Sequence, residues 1–283
     1  MKRLLVIRLS AFGDVIHTIP AVVALRKFYD IDWVVRAAYR ELVEIVAGVR
    51  TISWKEVRGH HNVVVDFQGL IKSALLARIS GAKERYGFAR PFIREKPAAW
   101  FMNHHVPIDP SRHVIEWNLQ LARGLERNLE MPRVDFTPFA ASDPRGFERR
   151  IVLIPGAGKA EKHWPIERFR QLAAQIGSKA LVVWGPAERP LAEAVGAEVA
   201  PPTNFRELAR ILRDASVVIG SDTGPLHLAA ALGTRVIGLY GPTNPARNGP
   251  YGQIANCIET FTTTKSMNDI AVNSVVRKLE EST

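Results

Sequence analysis

At the point that decides the fold, the sequence is Ser221-Asp222-Thr223-Gly224-Pro225-Leu226-His227. The apolar, β-branched segment 215–220 before it predicts a buried parallel strand, and the segment 228–232, which a glycine follows, predicts a short helix. The quoted stretch therefore connects the end of a strand to the start of a helix. Ligands of open α/β sheets bind at that edge, where the first free N–H groups of the helix attract anions. We predict an anion site here, with Asp222 or Thr223 as a plain helix cap the alternative.

Length and composition indicate a soluble protein of two domains. The chain has 283 residues, of which 47% are hydrophobic, enough for two cores of roughly 140 residues each. Its single cysteine, Cys257, excludes a disulfide scaffold and a cysteine-based zinc cluster. Arg8 and Asp14 interrupt the apolar start, and no uncharged apolar run reaches the roughly 18 residues of a membrane span. We expect a cytoplasmic protein.

The charge of the chain favours anionic partners. Lys and Arg number 38 against 28 Asp and Glu, which gives a net charge of +10. Such an excess attracts phosphorylated metabolites, acidic membranes or nucleic acid. The basic residues are dispersed, and the sequence contains no recognition helix, zinc finger or RNA-binding motif. We therefore expect no nucleic-acid partner, although a basic nucleotide- or nucleic-acid-binding module remains the non-enzyme alternative.

Strand and helix patterns alternate along the chain and restart after an interruption. The segment 131–150 is rich in proline, has no periodicity and is the predicted linker. The alternation predicts two doubly wound α/β domains that face a cleft, over 1–140 and 141–267, followed by a terminal helix in 268–283. Within the first half, a long helix is expected near 92–104.

The loop after the first predicted strand contains a candidate proton acceptor. Gly13 permits a tight turn, and Asp14 begins a helix. Asp14 can be a carboxylate that stabilises the helix start, or it can accept a proton from a substrate hydroxyl. His17 lies on the same helical face and could orient Asp14, or it could be structural.

The loop 154–165 is a candidate pyrophosphate site. It is glycine-rich and carries Lys159 and Lys162 just before a helix. The spacing is not that of a Walker motif, because Leu153 and Ala160 occupy positions that require glycine and a hydroxyl residue. Backbone amides and ammonium groups are therefore the expected phosphate ligands.

Five runs, in the same order over nearly the full chain, resemble the bacterial lipopolysaccharide heptosyltransferases of glycosyltransferase family 9. They are Gly13–Pro20, Asp66–Ser73, Lys162–Pro165, Asp222–His227 and Leu239–Thr243. The second and third runs most resemble the members that add the first heptose to the Kdo sugars of lipid A. The chain departs from the family in the short segment 54–62 and at Ala157 and Gly158, where members often carry hydroxyl residues.

The resemblance implies a GT-B architecture, in which two Rossmann-like domains face a cleft and the last helix returns toward the first domain. It implies a metal-independent, inverting transfer of L-glycero-D-manno-heptose from ADP-L-glycero-β-D-manno-heptose to a Kdo residue of Kdo-lipid A, in lipopolysaccharide inner-core biosynthesis. No cofactor is expected. We expect a monomer that lies peripherally on the cytoplasmic face of the inner membrane. The alternatives are addition of the second heptose and a GT-B-like sugar-nucleotide 2-epimerase.

The resemblance also implies roles for individual residues. Asp14 matches the general base and Lys162 the lysine on the donor phosphates, while Asp222 is expected to contact sugar hydroxyls or stabilise positive charge at the anomeric carbon. These three are the predicted catalytic residues. The predicted donor site consists of Gly156, Ala157, Gly158, Lys159, Lys162, Glu188, Thr203, Leu208, Asp222, Thr223, Gly224 and His227. The predicted acceptor site consists of Ser10, Gly13, Arg58, Gln68, Lys72, Arg85 and Arg94.

Overall fold

The computed structural model describes residues 1–140 and 146–281, and the chain divides into two compact units, Met1–Asp135 and Phe136–Thr283. The division lies inside the predicted linker, slightly before the predicted boundary at 140/141. Residue 141, at which the second domain was expected to begin, lies outside the described residues, as do the last two residues of the predicted terminal segment.

The first unit is built on a six-stranded sheet of order β3-β2-β1-β4-β5-β6, in which all neighbouring strands are parallel. Its strands are β1 Lys2–Ile7, β2 Tyr29–Val34, β3 Arg50–Ile52, β4 Val63–Asp66, β5 Glu84–Phe88 and β6 His104–Val106. The order reverses between β1 and β4. A crevice therefore opens beyond the carboxyl ends of these two strands, which is where ligands of doubly wound sheets bind.

The helices of the first unit connect these strands. They are α1 Phe12–Leu25, α2 Arg40–Leu42, α3 Ile71–Ile79 and α4 Val114–Arg123, and a π-type turn, Val43–Ala47, extends α2. The prediction of a long helix near 92–104 is wrong. Only a 3₁₀ segment, Lys96–Phe101, forms there, and β6 follows it. Pro91 and Pro97 explain the difference, since proline cannot donate the helical hydrogen bond and favours an extended preceding residue.

The second unit repeats the topology of the first. Its parallel sheet has the order β12-β11-β10-β7-β8-β9. When this order is read from β9 to β12 and β7 is counted as the first strand of the unit, it is the same as the order of the first sheet. The strands are β7 Ile151–Ile154, β8 Ala180–Val182, β9 Glu198–Val199, β10 Val217–Ser221, β11 Val236–Tyr240 and β12 Cys257–Glu259. The crevice of this sheet therefore lies between β7 and β10.

Six helices are described in the second unit. They are α5 Ile166–Ile176, α6 Arg189–Glu193, α7 Phe205–Asp214, α8 Gly224–Ala231, α9 Pro245–Asn248 and α10 Val272–Glu280. None of the helices in the described residues is both long and apolar enough to cross a bilayer.

The terminal helix α10 packs within the second unit. Val275 is fully buried in the core that also contains Phe169 and Ile237. The Arg235 guanidinium donates hydrogen bonds to the carbonyl oxygens of Lys278 and Leu279, at 2.5 and 3.2 Å. These contacts fix α10 against α5 and β11. The return of segment 268–283 toward the first domain stays a prediction.

Candidate functional site

Asp222 immediately follows β10, at the crevice of the second sheet, and three side chains hold its carboxylate. Oδ2 accepts hydrogen bonds from Lys162 Nζ at 2.5 Å and from Asn248 Nδ2 at 2.8 Å, and Oδ1 lies 3.0 Å from His227 Nε2. Lys162 comes from the loop after β7. The ion pair thus joins the loops after β7 and β10, the two strands between which the strand order reverses.

The surroundings of Asp222 keep it ionised. Burial raises the pKa of the carboxyl group, but the hydrogen bond and charge of His227 and the charge of Lys162 outweigh burial and lower the pKa to about 2. Only 7% of the Asp222 side chain is exposed. Its carboxylate has three protein partners within 3.0 Å. Contact with sugar hydroxyls, or stabilisation of positive charge at the anomeric carbon, stays a prediction.

Buried hydroxyl groups lie at the start of α8 and after the neighbouring strand β11. Gly224 is the first residue of α8 and Thr223 its cap position. The hydroxyl oxygens of Ser221, Thr223 and Thr243 are buried and have no hydrogen-bond partner among the described residues. Thr243 follows β11, the strand next to β10. Because leaving a buried hydroxyl unpaired is unfavourable, these groups and the first amides of α8 fit the oxygens of a phosphorylated ligand.

The run Lys162–Pro165 distributes its side chains between the site and the core. Lys162 reaches Asp222, while His163 Nε2 lies 2.9 Å from the carbonyl oxygen of Ala157 and fixes the glycine-rich loop. Trp164 is 2% exposed, and its Nε1 donates to the carbonyl oxygen of Ile270 at 2.9 Å. The buried indole therefore anchors the segment that positions Lys162.

Glu188 and Gly156 lie against each other. A Cβ atom on Gly156 would stand 2.3 Å from Glu188 Oε2, and the same carboxylate accepts a hydrogen bond from Gly185 N at 2.9 Å. The two loops meet because β7 and β8 are neighbouring strands. The structure thus brings Glu188 to the loop that also contains Ala157.

Other predicted donor residues lie farther from Asp222. Lys159 and Gly158 are exposed, and Lys159 Nζ lies 3.3 Å from Glu161 Oε1. Thr203 and Leu208 follow β9, the edge strand three positions from β10 in the sheet. Leu208 is buried in α7, and a place for either residue beside adenine stays a prediction.

Asp14 lies at the crevice of the first sheet, held by Arg8. Asp14 Oδ2 is 2.6 Å from Arg8 Nη2 and accepts a hydrogen bond from Ala11 N at 3.1 Å. Arg8 follows β1, and its Nη1 donates to the carbonyl oxygen of Phe67, after β4, at 2.5 Å. Sequence reasoning missed Arg8, although a charged residue directly after a buried strand was an available signal. The Asp14 side chain is 42% exposed and accessible to a ligand.

His17 lies in the interior of the first unit. It is 4% exposed, and its ring packs edge-on against His113 with the ring centroids 5.5 Å apart. Its carbonyl oxygen accepts a hydrogen bond from Asn118 of α4. The orienting contact to Asp14, which sequence reasoning considered for His17, is made by Arg8 instead.

Three predicted acceptor residues share the edge with Asp14. Gln68 Oε1 accepts a hydrogen bond from Leu9 N at 2.6 Å, which joins the loops after β4 and β1. Ser10 and Gly13 lie in the connection from Leu9 to Asp14.

Asp66, the last residue of β4, organises the turn that presents Gln68. It accepts hydrogen bonds from Gln68 N at 2.8 Å, Gly69 N at 3.3 Å and Ser73 Oγ at 2.8 Å. Burial outweighs these contacts and raises the pKa of Asp66 to about 6.

Lys72 and Arg94 lie near the start of α3, which follows β4. Lys72 is exposed in the first turn, and Glu95 Oε2 accepts a hydrogen bond from Ile71 N at 2.7 Å, which places the exposed Arg94 beside that turn. Both cations therefore lie beside the helix that leaves the carboxyl edge of β4.

Arg85 and Arg58 are not brought to that edge. Arg85 is near the amino end of β5, and its guanidinium donates to the carbonyl oxygens of Phe101 and Ala82 at 2.7 and 2.8 Å. Arg58 lines a cavity of about 380 Å³ formed by residues of β1, β2, β3 and the connection from β3 to β4. The other residues of this cavity are Arg3, Asp32, Arg50, Ile52, Lys55, Glu56, His60 and His61.

In residues 1–140 and 146–281, no three or more His, Cys, Asp or Glu side chains are grouped to hold a metal ion. The predicted independence from metal stays a prediction.

The comparison with known proteins decides the family. The profile described as glycosyltransferase family 9 (heptosyltransferase) matches residues 50–275. The chain belongs to glycosyltransferase family 9. Both the predicted family and the predicted GT-B fold class, with two Rossmann-like units, are confirmed.

Relatives within family 9 match the chain over most of its length. It is 32% identical over 292 residues to lipopolysaccharide heptosyltransferase 1 of Pseudomonas aeruginosa, covering 89% of this chain and 82% of the relative. Its structure is similar to E. coli heptosyltransferase WaaC with ADP, with a TM-score of 0.82, 26% identity and 99% of each chain covered. WaaC with ADP-2-deoxy-2-fluoro heptose gives a TM-score of 0.80 and 27% identity over 99% of this chain and 100% of that one.

Proposed function

We propose that this chain transfers L-glycero-D-manno-heptose from ADP-heptose to a Kdo residue of Kdo-lipid A, with inversion at the anomeric carbon. The observation that carries the proposal is the 2.5 Å Lys162–Asp222 ion pair in the crevice between β7 and β10, which holds an ammonium group beside buried hydroxyls at a helix start. Membership of family 9 and similarity to WaaC with ADP-heptose analogue support this substrate class.

The second unit is the proposed donor site. The first amides of α8 and the hydroxyls of Ser221, Thr223 and Thr243 bind diphosphate oxygens, and Lys162 supplies a positive charge. Asp222 acts as a positioning residue for Lys162. Glu188, already against Gly156, is proposed to accept hydrogen bonds from heptose hydroxyls.

The first unit is the proposed acceptor site, with Asp14 as general base. An acceptor hydroxyl oxygen attacks the anomeric carbon while Asp14 takes its proton, and the bond from that carbon to the β-phosphate oxygen breaks. Because Arg8 and Ala11 both contact Oδ2, the proposal assigns proton acceptance to Oδ1. A positioned base of this kind contributes roughly 10²–10⁴-fold to the rate.

The departing ADP gains negative charge as the sugar acquires oxocarbenium character. Lys162 and the amide groups at Gly224 stabilise that charge in the positions a metal ion would otherwise serve. The acceptor is a lipid, so we place the reaction at the cytoplasmic face of the inner membrane.

A mass-resolved product assay tests the proposal. The purified chain is incubated with ADP-heptose and either Kdo-lipid A or a singly heptosylated acceptor, and separately with a UDP-sugar and no acceptor. The expected result is addition of one heptosyl unit to Kdo-lipid A only. Extension of only the heptosylated acceptor would support addition of the second heptose, and consumption of a UDP-sugar without acceptor would support an epimerase. Neither alternative is favoured by the nearly full-length similarity to heptosyltransferase 1.

A further inference from the structure

The outward surface of α3 is apolar, which is unusual for a helix that covers a sheet. Ile71, Leu75 and Ile79 are 39%, 43% and 44% exposed, although the residues on the opposite side of the same helix are buried. At about 100° per residue, these side chains form one stripe, and Lys72 and Arg78 flank it within an arc of roughly 120°. The exposed surface of α3 thus combines three large aliphatic residues with two cations and contains no acidic residue.

Two exposed indoles lie in segments that adjoin the hydrophobic cluster beneath α3. Trp54, in the 3₁₀ turn Trp54–Glu56, is 62% exposed, and Trp100, in Lys96–Phe101, is 75% exposed. The segment Lys96–Phe101 packs with α3 on one hydrophobic cluster of the first unit, and Ile52 and Val57, which flank the turn of Trp54, belong to the same cluster. We call Trp54, Ile71, Leu75, Ile79 and Trp100 the apolar face. It holds five of the nine large hydrophobic residues that are exposed in the described part of the chain.

The charge around the apolar face is strongly positive. Residues 1–135 carry 21 Lys and Arg against 14 Asp and Glu, hence +7 of the total +10. Between residues 70 and 101, seven Lys and Arg stand against two Asp and Glu. The apolar surface and the cationic excess therefore belong to the same part of the first unit.

We propose that the apolar face is the surface by which this protein binds an anionic lipid bilayer. Aliphatic side chains insert at the boundary between headgroups and acyl chains, indoles prefer that interface, and lysine and arginine contact anionic headgroups. A second copy of the chain fits less well, because a symmetric contact would bring the flanking cations of both copies together. The proposal gives a location to the membrane contact that the proposed lipid acceptor requires, and in that respect rests on the proposed function.

Vesicle co-sedimentation of the full chain tests the surface without any transfer reaction. Wild type and variants are mixed with vesicles of phosphatidylglycerol and phosphatidylcholine, or of phosphatidylcholine alone. Leu75→Gln is expected to lower partitioning about fivefold and Leu75→Glu about 20-fold, because the first removes apolar contact and the second adds repulsion from the anionic headgroups. Ile254→Glu in the second unit, at a residue of similar exposure (37%), is the matched control and is expected to change partitioning less than about twofold.

Thermal unfolding establishes that the variants are folded, and Trp100→Ser provides a second, independent change on the same face. The proposal would be overturned if Leu75→Glu and Trp100→Ser bound the vesicles as well as wild type does. It would also be overturned if Ile254→Glu lost as much vesicle binding as Leu75→Glu. A lipid-free dimer that Leu75→Glu dissociates would assign the face to self-association instead.

Transfer of heptose to a water-soluble acceptor fragment separates the membrane-binding proposal from the proposed function. If the protein binds vesicles but transfers no heptose to this fragment, the proposed function is overturned. If it transfers heptose but does not bind vesicles, the proposed membrane surface is overturned.

Discussion

Replacing Asp222 with Asn tests whether this carboxylate positions the donor site electrostatically. Asp222→Asn keeps the size of the side chain but removes its charge, so Lys162 loses its ion-pair partner and His227 its anionic contact. Asn248 can still donate to the remaining amide oxygen. The substitution therefore isolates charge from packing.

The magnitude follows from the pKa. In the folded chain the pKa of Asp222 is lowered from 3.8 to about 2. A lowering of nearly two pKa units corresponds to roughly 2 kcal/mol of unfolding free energy at neutral pH. A lowered pKa means that folding favours the ionised form. This contribution is complete above about pH 4, falls to about half near pH 3 and is lost as the pH falls through about 2.

Urea unfolding of the full chain, followed by tryptophan fluorescence, measures the effect at each pH. Glu198→Gln is the matched control, because the Arg150–Glu198 pair has the same 2.5 Å nitrogen–oxygen distance but its carboxylate is 52% exposed. The control is expected to lose less than about 1 kcal/mol. The reasoning is refuted if Asp222→Asn costs no more than the control, or if its cost is the same at neutral and acid pH.

Four further outcomes test the proposed machinery. Asp14→Asn should lower turnover by roughly 10²–10⁴-fold while calorimetry shows unchanged ADP affinity; near wild-type turnover would exclude Asp14 as the base. Lys162→Met should weaken ADP binding by about 10–100-fold, and unchanged affinity would place the phosphates elsewhere. Gly156→Ala should impair donor binding, because its Cβ would stand 2.3 Å from Glu188, whereas Gly158→Ala meets nothing within 4 Å; equal behaviour of the two variants would contradict the geometry. Chelator should leave transfer unchanged, and inactivation that added metal restores would contradict charge stabilisation by Lys162.

The long buried strands were predictable from sequence, whereas the short edge strands were not. The strand predicted at 215–220 overlaps β10, Val217–Ser221, because the segment is apolar and rich in β-branched residues. By contrast, β3, β6 and β12 have three residues each and β9 has two. Such segments are too short to show periodicity, and they form because a neighbouring strand offers hydrogen-bond partners.

Much of the candidate site was likewise predictable as loops, but its contacts were not. The motifs around Asp14, Lys162 and Asp222 were recognisable because each follows a predicted strand. Lys162 and Asp222 are 60 residues apart, and Arg8 and Phe67 are 59 apart. Only the strand order brings these pairs together, and local periodicity contains no information on that order.

The two crevices use one geometric arrangement for opposite chemistry. In the first, a cation on the loop after β1 holds the carboxylate of Asp14; in the second, the carboxylate of Asp222 holds the cation of Lys162. Each proposed reactive group is therefore neutralised before substrate arrives. In the proposed reaction Lys162 turns toward the donor phosphates, and Asp222 then keeps His227 and Asn248 as partners, so a buried carboxylate is not left unpaired. We expect that residual pairing to lower the free energy needed to transfer Lys162 from the carboxylate to the diphosphate, which makes an aspartate compatible with the proposed anion site.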